Sequence, residues 1–172
     1  MKNIFLAAVL LTLLTGCCCT VDDGSEQVSS LIFQSEYTNY AWGYNHNGWM
    51  MNNTGQVKRF QKSANWVFPD SLGYISAVDM YKNISACDSV LAQVSSKDFT
   101  LYAEKALSCA NGPMSKATNT MADAGEHIHA VYLYEPVKNR YKRVILYMTG
   151  DWSQQNLAPY AWEISDWMGK IK

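Results

Sequence analysis

Excess charge, long apolar segments and catalytic motifs are all scarce in this 172-residue sequence. It contains 14 Lys and Arg against 15 Asp and Glu, a net charge of −1, so nucleic acid is not a predicted partner. The longest mainly apolar stretch, 4–14, is shorter than the roughly 20 residues of a membrane-spanning helix. Neither a G-x-S-x-G nucleophile elbow nor a glycine-rich phosphate loop occurs. The sequence therefore assigns no catalytic residue and predicts no cofactor.

The apolar stretch 4–14 follows a charged start at Lys2 and leads into Leu14-Thr15-Gly16-Cys17. This is the layout of a secretory signal, with a positive charge, an apolar segment and a small-residue cleavage site. The tetrapeptide resembles the lipobox of bacterial lipoproteins. The resemblance implies a diacylglycerol on the Cys17 thiol, cleavage after Gly16 and acylation of the new amine. Two or more acyl chains anchor a protein stably to a membrane.

The resemblance to lipoproteins divides the chain into three parts. Residues 1–16 are the expected signal peptide, 17–30 a polar, flexible tether that carries the lipid, and 31–172 a single domain. In many diderm bacteria, an Asp directly after the lipidated Cys retains the protein in the inner membrane. Here that residue is Cys18, so the outer membrane is favoured, with the domain facing the periplasm or the cell surface. The domain also resembles small lipoproteins of diderm envelopes, which implies a location but no activity.

The expected domain contains two cysteines, Cys87 and Cys109. Disulfides persist outside the cytoplasm, and a bridge between these two would close a loop of roughly 20 residues, worth about 3 kcal/mol. The alternative is a pair of buried thiols that behave as small apolar side chains. Sequence alone does not separate these arrangements, because it does not place the two Cα atoms.

The order of residue patterns along the chain predicts an α+β fold. An apolar and aromatic stretch over 31–44 predicts an N-terminal β segment, and Asn-Gly at 47–48 predicts a turn. Asn and Gly at 52–55 predict a short hairpin loop, because both residues tolerate a positive φ. The stretch 61–73 contains Pro and Gly and predicts a longer loop.

Helical spacing follows in three pieces. The first is capped by Ser76, the second covers 87–94, and the third begins near Ser96 and stops at Asn111-Gly112-Pro113. Whether the first two pieces form one helix or two is open.

Two strands and one helix complete the predicted fold. The stretches 126–134 and 141–148 predict a β-hairpin with both faces largely apolar. The register places Tyr134 opposite Tyr141, Val131 opposite Val144 and His129 opposite Leu146. A final helix near Pro159 carries an apolar stripe, expected to be buried against the sheet. The prediction is thus an antiparallel sheet with a long C-terminal β-hairpin, packed by central helices and a C-terminal amphipathic helix.

His127 and His129 are the best candidates for metal ligands. They lie two apart on a predicted strand and so share a face, and His46 is the third histidine of the chain. A zinc site usually takes three or four ligands, and the predicted neighbours of this pair are apolar. The favoured interpretation is two structural histidines, each with a hydrogen-bond partner and no open coordination position.

Four aromatic residues are the candidates for a binding surface. Flat rings stack on sugars or anchor protein partners, but in small domains large aromatics also form the core, which is the favoured alternative. The residues are Tyr40, Trp42, Tyr44 and Trp49.

Composition and motifs together favour a non-catalytic binding or accessory module at the outer membrane. Its expected partners are the membrane, through the lipid, and a glycan or a protein. The alternative function is an envelope hydrolase that uses a metal or acid/base chemistry.

Overall fold

A computed structural model describes residues 30–172 of the chain. The predicted signal peptide, the lipobox and all but the last residue of the predicted tether lie outside this range. The described part contains one open sheet of nine strands and three helices, which confirms the α+β class. The strands are β1 (Ile32–Asn39), β2 (Asn45–Met51), β3 (Gln56–Gln61), β4 (Tyr74–Ser76), β5 (Ser89–Gln93), β6 (Thr118–Asn119), β7 (Glu126–Glu135), β8 (Arg140–Gly150) and β9 (Trp152–Gln155). The helices are α1 (Ala77–Ser85), α2 (Ser96–Leu107) and α3 (Ala161–Met168).

The sheet runs in the order β5-β3-β2-β1-β7-β8-β9-β6, and the short β4 pairs with the first residues of β8. Every pair of neighbouring strands is antiparallel. β1 and β7 lie at the centre and hold the sheet together. Their side chains alternate between two covered faces, so both faces must be apolar.

Each face of the sheet has its own core. Helices α2 and α3 cover one face, where Phe33 and Val131 are fully buried. Helix α1 and the loop between β3 and β4 cover the other face, where Ile32 and Tyr132 are buried. Neighbouring residues of one strand thus serve opposite cores, as strand alternation requires.

Side-chain caps begin the first two helices. The Ser76 hydroxyl accepts a hydrogen bond from the Asp79 backbone N–H at 3.0 Å, which confirms the predicted start of α1. Ser95 accepts one from the Asp98 N–H at 3.1 Å, so α2 begins at Ser96 as expected. Such caps satisfy backbone donors that have no partner inside the helix.

The predicted second helical piece is wrong, because Ser89–Gln93 is strand β5. Five residues are too few for spacing to separate a helix from a strand. Backbone pairing with β3 decides the outcome and makes β5 the edge strand of the sheet. Hydrogen bonds at both ends extend the pairing: Asp88 N–H to Arg59 C=O at 3.0 Å and Val94 N–H to Gly55 C=O at 2.9 Å.

The first turn of the sheet also differs from the prediction. The chain bends at 40–44, where Gly43 has φ +96°, and the Asn-Gly pair at 47–48 lies inside β2. Gly48 is needed there for close approach, because a Cβ would lie 2.0 Å from the Ser35 carbonyl oxygen. The hairpin loop at 52–55 is confirmed between β2 and β3, with Gly55 at φ +75°.

β7 and β8 pair across the turn that begins at Pro136. Tyr134 lies opposite Tyr141 and Val131 opposite Val144, as expected. A register shift between His129 and Ala130 then places His129 opposite Tyr147, not Leu146. One extra residue on β8 therefore moves the partners of residues 126–129 by one position relative to the prediction.

The two cysteines are free thiols, because they belong to different cores. Cys87 follows α1 and is buried in the core on one face of the sheet, and Cys109 follows α2 and is buried in the core on the other face. Burial raises the pKa of Cys87 to about 11, which keeps the thiol protonated. Of the two arrangements that the sequence left open, the structure has the unbridged one.

Helix α3 begins at Ala161, two residues after Pro159. Ile164 is fully buried, and the half-buried Trp167 stacks on Tyr102, with 4.1 Å between ring centroids. Leu157 precedes the helix and is 53% exposed, so the predicted stripe is wrong at that position.

Trp167→Ala is expected to lower the free energy of unfolding by about 3 kcal/mol, because the indole fills a gap between Tyr102 and Phe33. Trp162→Ala is the control, since Trp162 lies on the same helix but is 61% exposed, and it should cost less than about 1 kcal/mol. Urea unfolding of both variants measures the difference. Equal midpoints would contradict the assignment of Trp167 to the core.

Candidate functional site

The four candidate aromatics separate into a surface set and one core residue. Tyr40, Trp42 and Tyr44 lie in the β1–β2 loop and are 68%, 84% and 42% exposed. Trp49 lies in β2 and is only 7% exposed, in the core under α2 and α3. The four candidate rings therefore do not form one surface, because the chain turns at 40–44. We call residues 40–44 the aromatic loop.

Hydrogen bonds at its base hold the aromatic loop in place. The Asn39 side-chain oxygen accepts from the Ala41 N–H at 2.8 Å, and its NH2 group donates to the Asp123 carbonyl at 3.1 Å. The Tyr37 hydroxyl donates to the Ala124 carbonyl at 3.0 Å. The loop is therefore tied to the segment that precedes β7, which limits its freedom.

Two small hollows flank the aromatic loop at this end of the sheet. One, of about 350 Å³, is lined by Trp42 and Tyr44 together with Lys62. The other, of about 240 Å³, is lined by Tyr40 together with Glu126 and Asp151. Exposed rings next to charged groups and amides can make apolar and polar contacts with one ligand at the same time.

A buried charged cluster lies beneath the aromatic loop, on the α1 side of the sheet. Glu36 accepts hydrogen bonds from Gln34 at 2.9 Å and from Arg143, and its carboxylate lies 3.0 Å from His46 Nε2. Burial by itself would raise the pKa of Glu36, but the hydrogen bond from His46 and the charge of Arg143 outweigh it and lower the pKa. We call these four residues the Glu36 cluster.

The sequence did not point to the Glu36 cluster. Glu36 stands in an otherwise ordinary strand, and its partner Arg143 is 107 positions away. The one available signal was a charged residue on a strand whose two faces are both covered. His46, a metal candidate from the sequence, is taken up by this cluster and by four aromatic rings within 6.3 Å between centroids: Tyr44, Phe60, Trp66 and Phe68.

His127 and His129 lie on the opposite face of the sheet from His46. They line an open cleft of about 680 Å³ between the strands and the C-terminal end of α3. Ser35 Oγ and His127 Nε2 are 3.1 Å apart, and Ser165 Oγ and His129 Nδ1 are 2.8 Å apart. Each ring thus has a hydrogen-bond partner. Burial lowers the pKa of both rings, that of His129 to about 4, so both are neutral at pH 7.

Within residues 30–172, no group of three His, Cys, Asp or Glu side chains is placed to hold a metal ion. The Ser35–His127 pair does join a hydroxyl to a neutral imidazole, as a serine nucleophile would need. However, Ser35 is buried in the middle of a central strand, and no described carboxylate hydrogen-bonds to His127. The pair therefore lacks the third group that orients a catalytic base.

Comparisons with known proteins give no relative from which a function can be carried over. No protein-family model matches the sequence, and neither the curated proteins nor the solved structures include a significant match. None of the helices between residues 30 and 172 is both long enough and apolar enough to cross a membrane.

Glu36→Gln is expected to cost about 3 kcal/mol of unfolding free energy at neutral pH, because it leaves the Arg143 charge without its buried partner. The folded pKa of Glu36 is lowered, so its contribution is present above the unfolded value of about 4.3 and is lost as pH falls through the folded value. The difference from wild type should therefore shrink in acid.

Glu135→Gln is the matched control for this substitution. It breaks the Glu135–Arg140 pair, whose side chains are about one-third exposed, and should cost less than about 1 kcal/mol at any pH. Denaturant unfolding at several pH values measures both variants. A Glu36→Gln cost as small as that of the control would contradict the cluster's role in stability.

Proposed function

We propose that this chain is a lipid-anchored lipoprotein of the outer membrane whose domain acts as a non-catalytic binding or accessory module. The ligand is a glycan or a protein, and it binds at the aromatic loop. The observation that carries this proposal is the exposure of three neighbouring aromatic rings, Tyr40, Trp42 and Tyr44, on a loop held by hydrogen bonds.

The exposure of these rings needs an explanation, because removing each from water would be favourable. The Tyr40 and Tyr44 rings lie 5.4 Å apart between centroids and are inclined at 33°, so the two rings form a joint contact surface before any ligand arrives. A preformed surface lowers the entropy cost of binding. The hydrogen bonds at the base of the loop have the same effect.

The neighbours of the loop suit a polar ligand with apolar faces. Asn45 and Lys62 provide donors beside Trp42, and Glu126 and Asp151 provide acceptors beside Tyr40. A sugar ring offers hydroxyls and a C–H face, and a protein loop offers side chains of both kinds. Both ligand classes therefore match this chemistry.

The proposed lipid anchor places the aromatic loop at the envelope. Its support is Leu14-Thr15-Gly16-Cys17 behind a short apolar segment. A tether of 17–30 would let the domain reach ligands a few nanometres from the bilayer, since a flexible chain extends by about 5–6 Å times the square root of its residue number.

Trp42→Ala is expected to weaken ligand binding about thirtyfold, because aromatic hot spots contribute about 2 kcal/mol or more. Trp162→Ala removes another exposed indole far along the chain and should leave affinity unchanged. A glycan array identifies a sugar ligand, and photo-crosslinking from position 42 in intact envelopes identifies a protein. Full binding by a Trp42→Ala/Tyr44→Ala double variant with a wild-type fold would rule the loop out.

Cys17→Ala is expected to abolish lipidation, because the thioether to diacylglycerol needs that thiol. Metabolic labelling with a clickable fatty acid and fractionation of the envelope measure the outcome. Cys18→Ala is the matched control and should leave the protein labelled and membrane-bound. Label that persists at wild-type level in Cys17→Ala would contradict the proposed anchor.

A further inference from the structure

His127 and His129 are each held by a hydrogen bond to one serine. The two rings are 4.9 Å apart between centroids and inclined at 71°. Ser35 holds His127 at Nε2, and Ser165, from α3, holds His129 at Nδ1. In each ring the second nitrogen, Nδ1 of His127 and Nε2 of His129, has no hydrogen bond from any residue between 30 and 172.

Both residues line the cleft, and His129 is only 7% exposed. Among the described residues, the buried side-chain polar atoms that lack a partner are His46 Nδ1 and Arg143 Nε, both in the Glu36 cluster. His127 Nδ1 and His129 Nε2 are not of that kind, so solvent reaches them. The serine contacts account for one nitrogen of each ring, and the second nitrogen of each ring is left for a water molecule or a ligand.

The serine contacts prepare the rings as ligands. When a ring nitrogen donates its N–H to a serine oxygen, the other nitrogen carries the lone pair. Histidines that bind metals are held in this way by a partner at the far nitrogen, which fixes both tautomer and ring direction.

The cleft favours a particular kind of ion. Arg59 and Lys172 line it, and because their positive charges repel any cation, an ion bound there must be held by bonds to its ligands and not by charge alone. Imidazole nitrogens bind Cu²⁺, Ni²⁺ and Zn²⁺ by donating lone pairs. The same positive side chains would attract an anion that completes the coordination of such an ion, and the cleft of about 680 Å³ has room for it.

We propose that His127 Nδ1 and His129 Nε2 bind one divalent transition-metal ion, Cu²⁺ or Zn²⁺, with the remaining coordination positions open to water or an anion. Ser35 and Ser165 are positioning residues of this site. The site is independent of the aromatic loop, which lies at the end of the sheet.

The first test measures Cu²⁺ binding to the untagged full chain carrying Cys18→Ser and Cys19→Ser, which removes competing thiols. One Cu²⁺ per chain is expected, with an electron paramagnetic resonance spectrum that shows two imidazole nitrogens. His127→Asn and His129→Asn should each weaken binding about tenfold or more, and Ser165→Ala should also weaken it by about tenfold. A double histidine variant that binds Cu²⁺ as tightly as its parent would overturn the proposal.

The second test needs no substitution at the site and so avoids the risk that a buried variant misfolds. Zn²⁺ is titrated into the same protein while the ring nitrogens of isotope-labelled histidines are followed by nuclear magnetic resonance. His127 Nδ1 and His129 Nε2 should shift with Zn²⁺, while His46, enclosed in the Glu36 cluster, should not. Unchanged signals from His127 and His129 at saturating Zn²⁺ would equally overturn the proposal.

Discussion

The buried carboxylate of Glu36 is the constraint on which the arrangement of the central strands depends. It lies on β1 and contacts His46 on β2 and Arg143 on β8, two strands away across β7. A charge in the interior is tolerated only with such partners. A shift of β1 by one residue would turn Glu36 to the face covered by α2 and α3, away from both His46 and Arg143. The cluster therefore selects one register out of the alternatives that apolar packing alone would permit.

The exposure of the aromatic loop follows from the same cluster. His46 and the rings around it fill the space on the α1 side beneath the loop. Tyr40 and Trp42 lie on the short loop between the paired strands β1 and β2, which keeps their rings at this end of the sheet. Their rings therefore project into solvent, where they can contact a ligand. The stability of the interior and the proposed binding surface are thus linked through β1 and β2.

The histidines on the two faces of the sheet have different surroundings. On the α1 side, His46 is paired with a carboxylate and surrounded by rings, so it is sealed from solvent. On the other side, His127 and His129 are held by neutral serines at the edge of an open cleft. His46 is therefore fixed by a charge pair in the interior, whereas His127 and His129 line the cleft and are held by neutral hydroxyls. Sequence spacing identified the accessible pair but could not distinguish the two settings.

The local features of this fold could be read from the sequence because they depend on residues close together in the chain. The serine cap of α1, the hairpin loop at 52–55 and the pairing of Tyr134 with Tyr141 each involve a few neighbouring positions. Only the tertiary structure decided that 89–93 is a strand and that Trp49 is buried while Trp42 is exposed. It also placed Cys87 and Cys109 in separate cores and brought Glu36 to Arg143. The reason is physical: burial, strand pairing and charge pairing depend on segments that are distant in sequence, and no local pattern specifies which of them will meet.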